Sequence, residues 1–363
     1  MFGLFQPGPL ESSLLRAALA AATSLGVTCV AIPRLAAWAR RKDFGDREGK
    51  THSDTLNELH SHKKRTPIVG GIAILAATLL ASLAFADLRW GSVWLLLVGM
   101  LGLGALGLAD DIAKTFGTKK TVGLTARQKL AVQVVFGAGA GAFLLGQAWV
   151  GGGAQALAAQ SSLAIPFVGG TLAIGAVLYL LFATFVVTGT SNAVNLTDGL
   201  DGLAGGCALV AFGVYTGIAL CAGSPETAAQ VGITPVPGAA EVGVVLAGLA
   251  GGLTGFLVFN RPPAKVFMGD TGSLPLGGVL ALAALVTKQE LLLALVGGVF
   301  VAEALSVIAQ VISFKLTGKR IFRCAPLHHH FEFGGWGESQ VVTRFHAVAL
   351  CLALISLVGV GGL

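Results

Sequence analysis

The residues of this 363-residue chain with the most chemistry in them are acids and amides that stand beside long apolar runs. Asp110 and Asp111 close the glycine-rich run 102–109 and are followed by Lys114, Lys119, Lys120, Arg127 and Lys129. Adjacent side chains on a helix diverge by about 100°, so one carboxylate can face a metal or an acceptor while the other faces a lysine. In 191–203, Asn192, Asn195, Asp198 and Asp201 recur at every third position, and the segment holds no Lys or Arg to balance its acids. Carboxylates and amides are hard oxygen ligands that suit magnesium, which takes one or two carboxylates plus phosphate and water. The bland alternative is a polar loop between two helices.

Two later segments add to the set. Asn260-Arg-Pro-Pro-Ala-Lys-Val-Phe-Met-Gly-Asp-Thr-Gly-Ser273 joins a rigid proline pair to Lys265, Phe267 and a Gly269-Asp270-Thr271 turn that leads into an apolar run. Amides at a helix N-terminus favour anions, and Asp270 could hold a metal that bridges them; the competing reading is that Asp270 or Ser273 merely caps the helix. No GxxxxGK[ST] loop occurs. Ala325-Pro-Leu-His-His-His-Phe-Glu332 places His328, His329 and His330 together beyond Lys315, Lys319, Arg320 and Arg323. Histidines can hydrogen-bond phosphate or bind metal, but consecutive residues on a helix splay too widely to give one zinc three ligands. Glu303, Ser306 and Gln310 share one stripe of an otherwise apolar run, lining either a cavity or a helix contact.

The elements that position these groups follow from composition. With 54% hydrophobic and 12% charged residues, the chain is a polytopic membrane protein. Its continuous apolar runs favour helices over alternating barrel strands. The expected fold class is all-α, with ten spans near 14–32, 67–86, 90–109, 130–150, 167–187, 203–222, 242–259, 273–286, 291–314 and 345–363. The run 273–286 is short unless 269–273 extends it. One domain over 1–363 is expected, with five cytoplasmic segments at 33–66, 110–129, 188–202, 260–271 and 315–344. These hold every Lys and Arg except Arg16, Arg89 and Lys288, a bias that places both termini outside. Positive charge flanking spans accounts for the formal net charge of +6 without nucleic acid. The residues before the first run lack a basic n-region, so that run is read as retained. Five scattered cysteines without a CxxC pair argue against a disulfide framework or a zinc site. The external segments 151–162 and 223–238, rich in Gly, Ala, Ser and Pro, are expected to be bland.

Taken in order, Thr66-Pro-Ile-Val-Gly-Gly71, Leu108-Ala-Asp-Asp-Ile-Ala-Lys114, Gly123-Leu-Thr-Ala-Arg-Gln-Lys129, the Asn192 and Asn260 segments, the Pro326-Leu-His-His-His-Phe-Glu332 signature and Val341-Val-Thr-Arg-Phe345 resemble the phospho-N-acetylmuramoyl-pentapeptide-transferase family. That family lies within the polyprenyl-phosphate N-acetylhexosamine-1-phosphate transferases, and the likeness covers nearly the whole chain. One departure is visible: the family usually has a basic pair before Gly-Thr-Pro-Thr-Met-Gly-Gly, whereas here Lys63-Lys64-Arg65 precedes Thr66-Pro-Ile-Val-Gly-Gly71. Either Lys63 or Lys64 stands where the family has a binding lysine.

The resemblance implies transfer of phospho-MurNAc-pentapeptide from UDP-MurNAc-pentapeptide to undecaprenyl phosphate in the bacterial cytoplasmic membrane, giving lipid I and UMP, with magnesium required. It implies catalytic roles for Asp110, Asp111 and Asp270. Asp270 would be the principal magnesium ligand, joined by Asp198, and Asp110 or Asp111 would prepare the lipid phosphate. Lys114, Lys129, His328, His329 and His330 would contact phosphate. Thr66, Asn192, Asn195, Asp198, Asp201, Asn260, Phe267, Gly269 and Gln310 would complete the substrate site, and dimerisation is implied by the resemblance alone. Whether an aspartate acts as a nucleophile in a two-step route stays open. The rivals are a GlcNAc-1-phosphate transferase using the same lipid and an ion-coupled transporter, against which the clustering of acids on one face counts.

Overall fold

Backbone placed in hydrocarbon must satisfy its own hydrogen bonds, and the chain does so as helices. The computed structural model describes residues 9–45, 66–116 and 123–360. Within them the order is α1 (Pro9–Arg41), α2 (Gly70–Phe85), α3 (Gly91–Phe116), α4 (Ala126–Gln160), β1 (Ser162–Ile165), β2 (Gly170–Ala173), α5 (Ala176–Thr197), α6 (Leu203–Ala222), α7 (Pro225–Val231), α8 (Ala239–Asn260), α9 (Asp270–Val286), α10 (Leu293–Val296), α11 (Gly298–Thr317), α12 (Leu327–Glu332) and α13 (Glu338–Gly359). Eight of these helices are long and apolar enough to cross a bilayer, and α2 and α9 are shorter apolar helices, so every apolar run anticipated above contains a helix.

The boundaries moved where local chemistry overrides hydropathy. The run 167–187 does not begin as a helix. Pro166 removes a donor and Phe167 and Gly169 take positive φ, so the chain turns back as a hairpin pairing Ser162 with Ala173. Helix α5 starts only at Ala176 and continues to Thr197, which carries Asn192 and Asn195 on its final turns. The run 291–314 breaks at Gly297, separating α10 from α11. The segment 223–238, expected to be bland, contains α7. At the other extreme, α9 does extend to Asp270, the extension that its short apolar run required.

Helix α9 is the axis of the bundle: all of its residues are buried, and it packs on α2, α3, α5 and α6. Backbone meets backbone on three sides. A Cβ on Gly107 of α3 would lie 2.1 Å from the carbonyl oxygen of Asp270. One on Gly71 of α2 would lie 2.4 Å from the amide nitrogen of Gly272, and one on Gly277 would lie 2.3 Å from the carbonyl oxygen of Thr190 in α5. Small residues allow such approach between apolar helices, where packing rather than the hydrophobic effect drives association. The outward rows, including Val135, Leu181, Phe185, Ile308 and Leu354, are exposed apolar side chains suited to lipid.

The three basic residues that break the charge bias are each paired with an acid. Arg16 donates to Glu241 at 2.5 Å, Arg89 to Asp87 at 2.6 Å, and Lys288 to Glu290 at 3.0 Å. They sit at the helix ends remote from Asp270, Lys288 lying just past the opposite end of α9.

Candidate active site

Four elements bring charged groups to the N-terminus of α9. The last turns of α3 supply Asp110, Asp111 and Lys114. Helix α4 begins at a capping box, in which the Thr125 side chain accepts from the amide of Gln128 while the Gln128 side chain returns to the amide of Thr125, and it projects Lys129 inward. Asp270 opens α9, and α5 ends with Asn195.

The lysines lie between the acids. The Lys114 ammonium is 2.7 Å from Asp110 Oδ2 and 3.1 Å from Asp270 Oδ1. Lys129 donates to Asp110 Oδ2 at 3.2 Å and to Asp270 Oδ2 at 3.1 Å. Asp110 Oδ1 accepts the amide of Leu124 at 2.6 Å, and Asp270 Oδ1 also accepts from Asn195 Nδ2 at 3.0 Å. Asp110 and Asp270 are buried while both lysines remain partly exposed. The cluster is therefore a shielded acid pair with a cationic opening, an arrangement that suits an anion arriving from the surface.

Asp111 does something else. Its Oδ1 accepts the amide of Asp270 at 3.1 Å, and its Oδ2 accepts the amide and hydroxyl of Thr271 at 2.9 and 2.7 Å. It satisfies the orphan donors at the start of α9 and so fixes the direction in which Asp270 leaves the helix. Gly269, just before, has φ +70°, and a Cβ there would fall 2.5 Å from Asp111 Oδ2; both its backbone and its neighbours call for glycine. Phe267 and Met268 pair with the chain at 67–71. Phe267 donates its amide to Pro67 at 2.8 Å, and Gly70 and Gly71 donate to the carbonyls of Phe267 and Met268 at 2.9 and 3.0 Å. Half-buried Thr66 stands beside these bonds, and Ile68, one of the two residues that depart from the family pattern, makes an isolated parallel bridge with Phe267 while Val69 is the N-cap residue of α2. Lys63 and Lys64, like Lys119 and Lys120, lie outside the described residues.

The other anticipated residues divide between the pocket and its scaffold. Asn195 also donates to Ser273 Oγ at 2.9 Å and stays at the cluster. Asn192 instead donates to Gln133 at 2.9 Å and to the carbonyl of Thr188, holding α5 to α4. Asn260 ties two loops together, accepting from the amide of Gly202 at 2.9 Å and donating to the carbonyl of Val266 at 2.8 Å. Asp201 accepts the amide of Ala264 at 2.8 Å and donates its own amide to Glu338. Gln310 accepts the amides of Ile321 and Phe322 and donates to the carbonyl of Phe322, so it fastens a loop.

The three histidines do not converge. His328 is buried against Glu303, His329 lies 2.7 Å from Glu332, and His330 accepts the amide of Arg323 at 3.1 Å. Sequence reasoning did not single out Thr271 or Gln133, nor Glu338 and His346, which hold the turn 198–202. His346 Nε2 lies 3.1 Å from the carbonyl oxygen of Gly202. A polar Gln133 one turn beyond Lys129 in an apolar helix was the available signal.

Asp198, half-buried just past the end of α5, has its carboxyl pushed up to about 7, first by burial and then by the charges of Asp270, Asp111 and Asp201. A divalent cation beside these acids would offset both the burial and the like charges that raise it. Among the described residues no three His, Cys, Asp or Glu side chains form a ready cage. Magnesium that keeps its waters and draws other ligands from phosphate does not need one. The oxygen donors Asp270 and Asp198 fit such an ion.

Residues 93–288 match the profile described as glycosyl transferase family 4. The chain is 43% identical over 346 residues, 94% of its own length and 92% of the relative's, to the phospho-N-acetylmuramoyl-pentapeptide-transferase of Granulibacter bethesdensis. It is 44% identical over 300 residues, 83% of its length and 81% of the relative's, to the protein of the same name from Geobacter sp. strain M21.

Proposed function

The chain belongs to the phospho-N-acetylmuramoyl-pentapeptide-transferase family, and from that membership we propose that its lysine-bridged acid pair, Asp110 and Asp270, carries the family's transfer reaction. Phospho-MurNAc-pentapeptide passes from UDP-MurNAc-pentapeptide to undecaprenyl phosphate, giving lipid I and UMP. A phosphate oxygen of the lipid attacks the sugar-linked phosphorus, the bond to the bridging oxygen breaks, and UMP leaves with that electron pair.

The observation that carries the reading is the sharing of Lys114 and Lys129 between Asp110 and Asp270. Phosphoryl transfer asks a protein for positioning and charge neutralisation more than for covalent chemistry. In the free enzyme the acids neutralise the lysines. When two phosphate-bearing substrates enter, the lysines turn to the phosphate oxygens, and the carboxylates are released from them. Of the adjacent pair, Asp110 has an oxygen on the lysines and orients the lipid phosphate, while Asp111 keeps α9 in place. Asp270 and Asp198 would hold magnesium, whose charge neutralises the pyrophosphate and the leaving UMP. Asn195 holds Asp270, and Asn260 and Asp201 shape the nucleotide side through the loops they join. In this reading His329 and His330 would contact phosphate.

The site faces the cytoplasm in this reading, because the donor is a water-soluble nucleotide and the charge bias puts 110–129 and 260–271 inside. A reporter enzyme fused after Ala222 should be active only outside the cytoplasm; cytoplasmic activity there contradicts the orientation. The choice of donor is tested with the purified protein and undecaprenyl phosphate by comparing UDP-MurNAc-pentapeptide with UDP-GlcNAc. Turnover of the first alone is expected, and turnover of UDP-GlcNAc alone moves the protein to the neighbouring branch.

A further inference from the structure

We propose that Glu303, a residue outside the acid cluster, is a positioning residue for the donor-binding turn and acts through His328. The inference rests on the transferase reading, in which the turn 198–202 lies on the nucleotide side.

Glu303 is completely buried in α11. Its Oε1 accepts the backbone amide of His328 at 3.1 Å and faces the ring Nδ1 of the same residue at 3.2 Å. His328 is 1% exposed, and neither ring nitrogen has a hydrogen-bond partner, the Nε2 edge included. That edge of the ring fills the space beside Gly199: a Cβ on Gly199 would come within 2.4 Å of Nε2. The downstream half of the turn is held by hydrogen bonds from the amides of Asp201 and Gly202 to Glu338 and Asn260. In the upstream half Gly199, next to Asp198, packs against the imidazole.

A carboxyl group at this depth is costly in a membrane helix, and Glu303 Oε2 has no partner. An apolar side chain of the same volume would pack there more cheaply, so stability does not account for the acid. Orientation does. Two turns further along the same stripe, Gln310 fastens the amides of Ile321 and Phe322. Helix α11 thus holds the segment 321–328 at two points, and the second point sets the ring on which the turn rests.

Glu303→Gln separates this role from simple packing. The amide keeps the volume and its oxygen can still accept the His328 amide, but the carboxyl group that faces Nδ1 at 3.2 Å becomes a neutral amide, which weakens its hold on the ring. In the full-length purified protein, with donor and lipid varied separately, the KM for UDP-MurNAc-pentapeptide should rise about tenfold, the effect of one disturbed buried polar contact. The KM for undecaprenyl phosphate and the melting temperature should stay at their wild-type values. An unchanged donor KM in the folded variant overturns the proposal. So does a parallel loss of both KM values, kcat and melting temperature, which packing alone would produce.

Gly199→Ala presses on the same ring from the other side with Glu303 intact. It should show the same donor-selective rise, and it decides the matter if Glu303→Gln does not fold; parallel loss there also overturns the proposal. Wild-type protein inactive on both substrates refutes the transferase reading instead. UMP affinity measured by calorimetry then still judges Glu303, since an unchanged Kd in the variant refutes it.

Discussion

Asp270→Asn should lower kcat by about a hundredfold to a thousandfold, the loss found when one preorganised charge-stabilising group is removed from an active site. The substitution keeps the volume and leaves the α9 cap untouched, because that cap comes from Asp111 and not from Asp270. What it removes is half of the charge that holds Lys114 and Lys129, together with the carboxylate offered to a cation. UMP release at saturating donor and lipid measures the effect, and melting temperature shows that the fold survives. Asp111→Asn should behave differently. An amide cannot accept at both positions, so the start of α9 loses acceptors, and stability and activity should fall together. Near wild-type turnover in Asp270→Asn would remove Asp270 from the chemistry.

The second large effect comes from a residue with no side chain. Gly107→Ala places a methyl group 2.1 Å from the carbonyl oxygen of Asp270, with the amide nitrogen of Thr271 at 2.5 Å. Both neighbours are backbone atoms, so no side chain can rotate away, and overpacking of this kind costs about 1–3 kcal/mol. Relief requires α9 to slide away from α3, carrying Asp270 with it. A displacement near 1 Å is enough to cost about a hundredfold in rate. The expected outcome is a protein still inserted in the membrane, with a lowered melting temperature and a loss of kcat approaching that of Asp270→Asn. Full activity would mean that the spacing of α3 and α9 does not set the site.

The contrast between these positions shows what the sequence made legible. Asp270 could be read because a Gly-Asp-Thr-Gly-Ser turn opening an apolar run has one geometric meaning, a helix N-terminus with a carboxylate at its mouth. The divergence of Asp110 from Asp111 was also legible, since 100° of helical rotation sends neighbours apart. What each would meet was not. That one reaches the lysines and the other the amides of α9 depends on a helix far along the chain.

Asn192 and Asn195 shared a period of three and looked alike, yet the approach of α4 made one a helix–helix contact and left the other at the cluster. The splay of the histidine run was legible from helical rotation, but its partners were not: the short helix α12 buries His328 and leaves His329 beside Glu332 and His330 beside Arg323. The hairpin at Ser162–Ala173 was hidden in an apolar run because hydropathy does not distinguish strand from helix over so few residues. Close backbone approach at Gly107 and Gly71 left no trace beyond an abundance of glycine.

The most direct measurement follows label from donor to lipid. Purified protein is incubated with UDP-MurNAc-pentapeptide labelled in the sugar, undecaprenyl phosphate and magnesium, and UMP and lipid-linked label are counted together. Equal amounts of the two, lost on chelation of magnesium, are the expected result. UMP without lipid-linked label, or neither product from folded protein, would contradict the assignment of the Asp110–Asp270 cluster to phospho-sugar transfer.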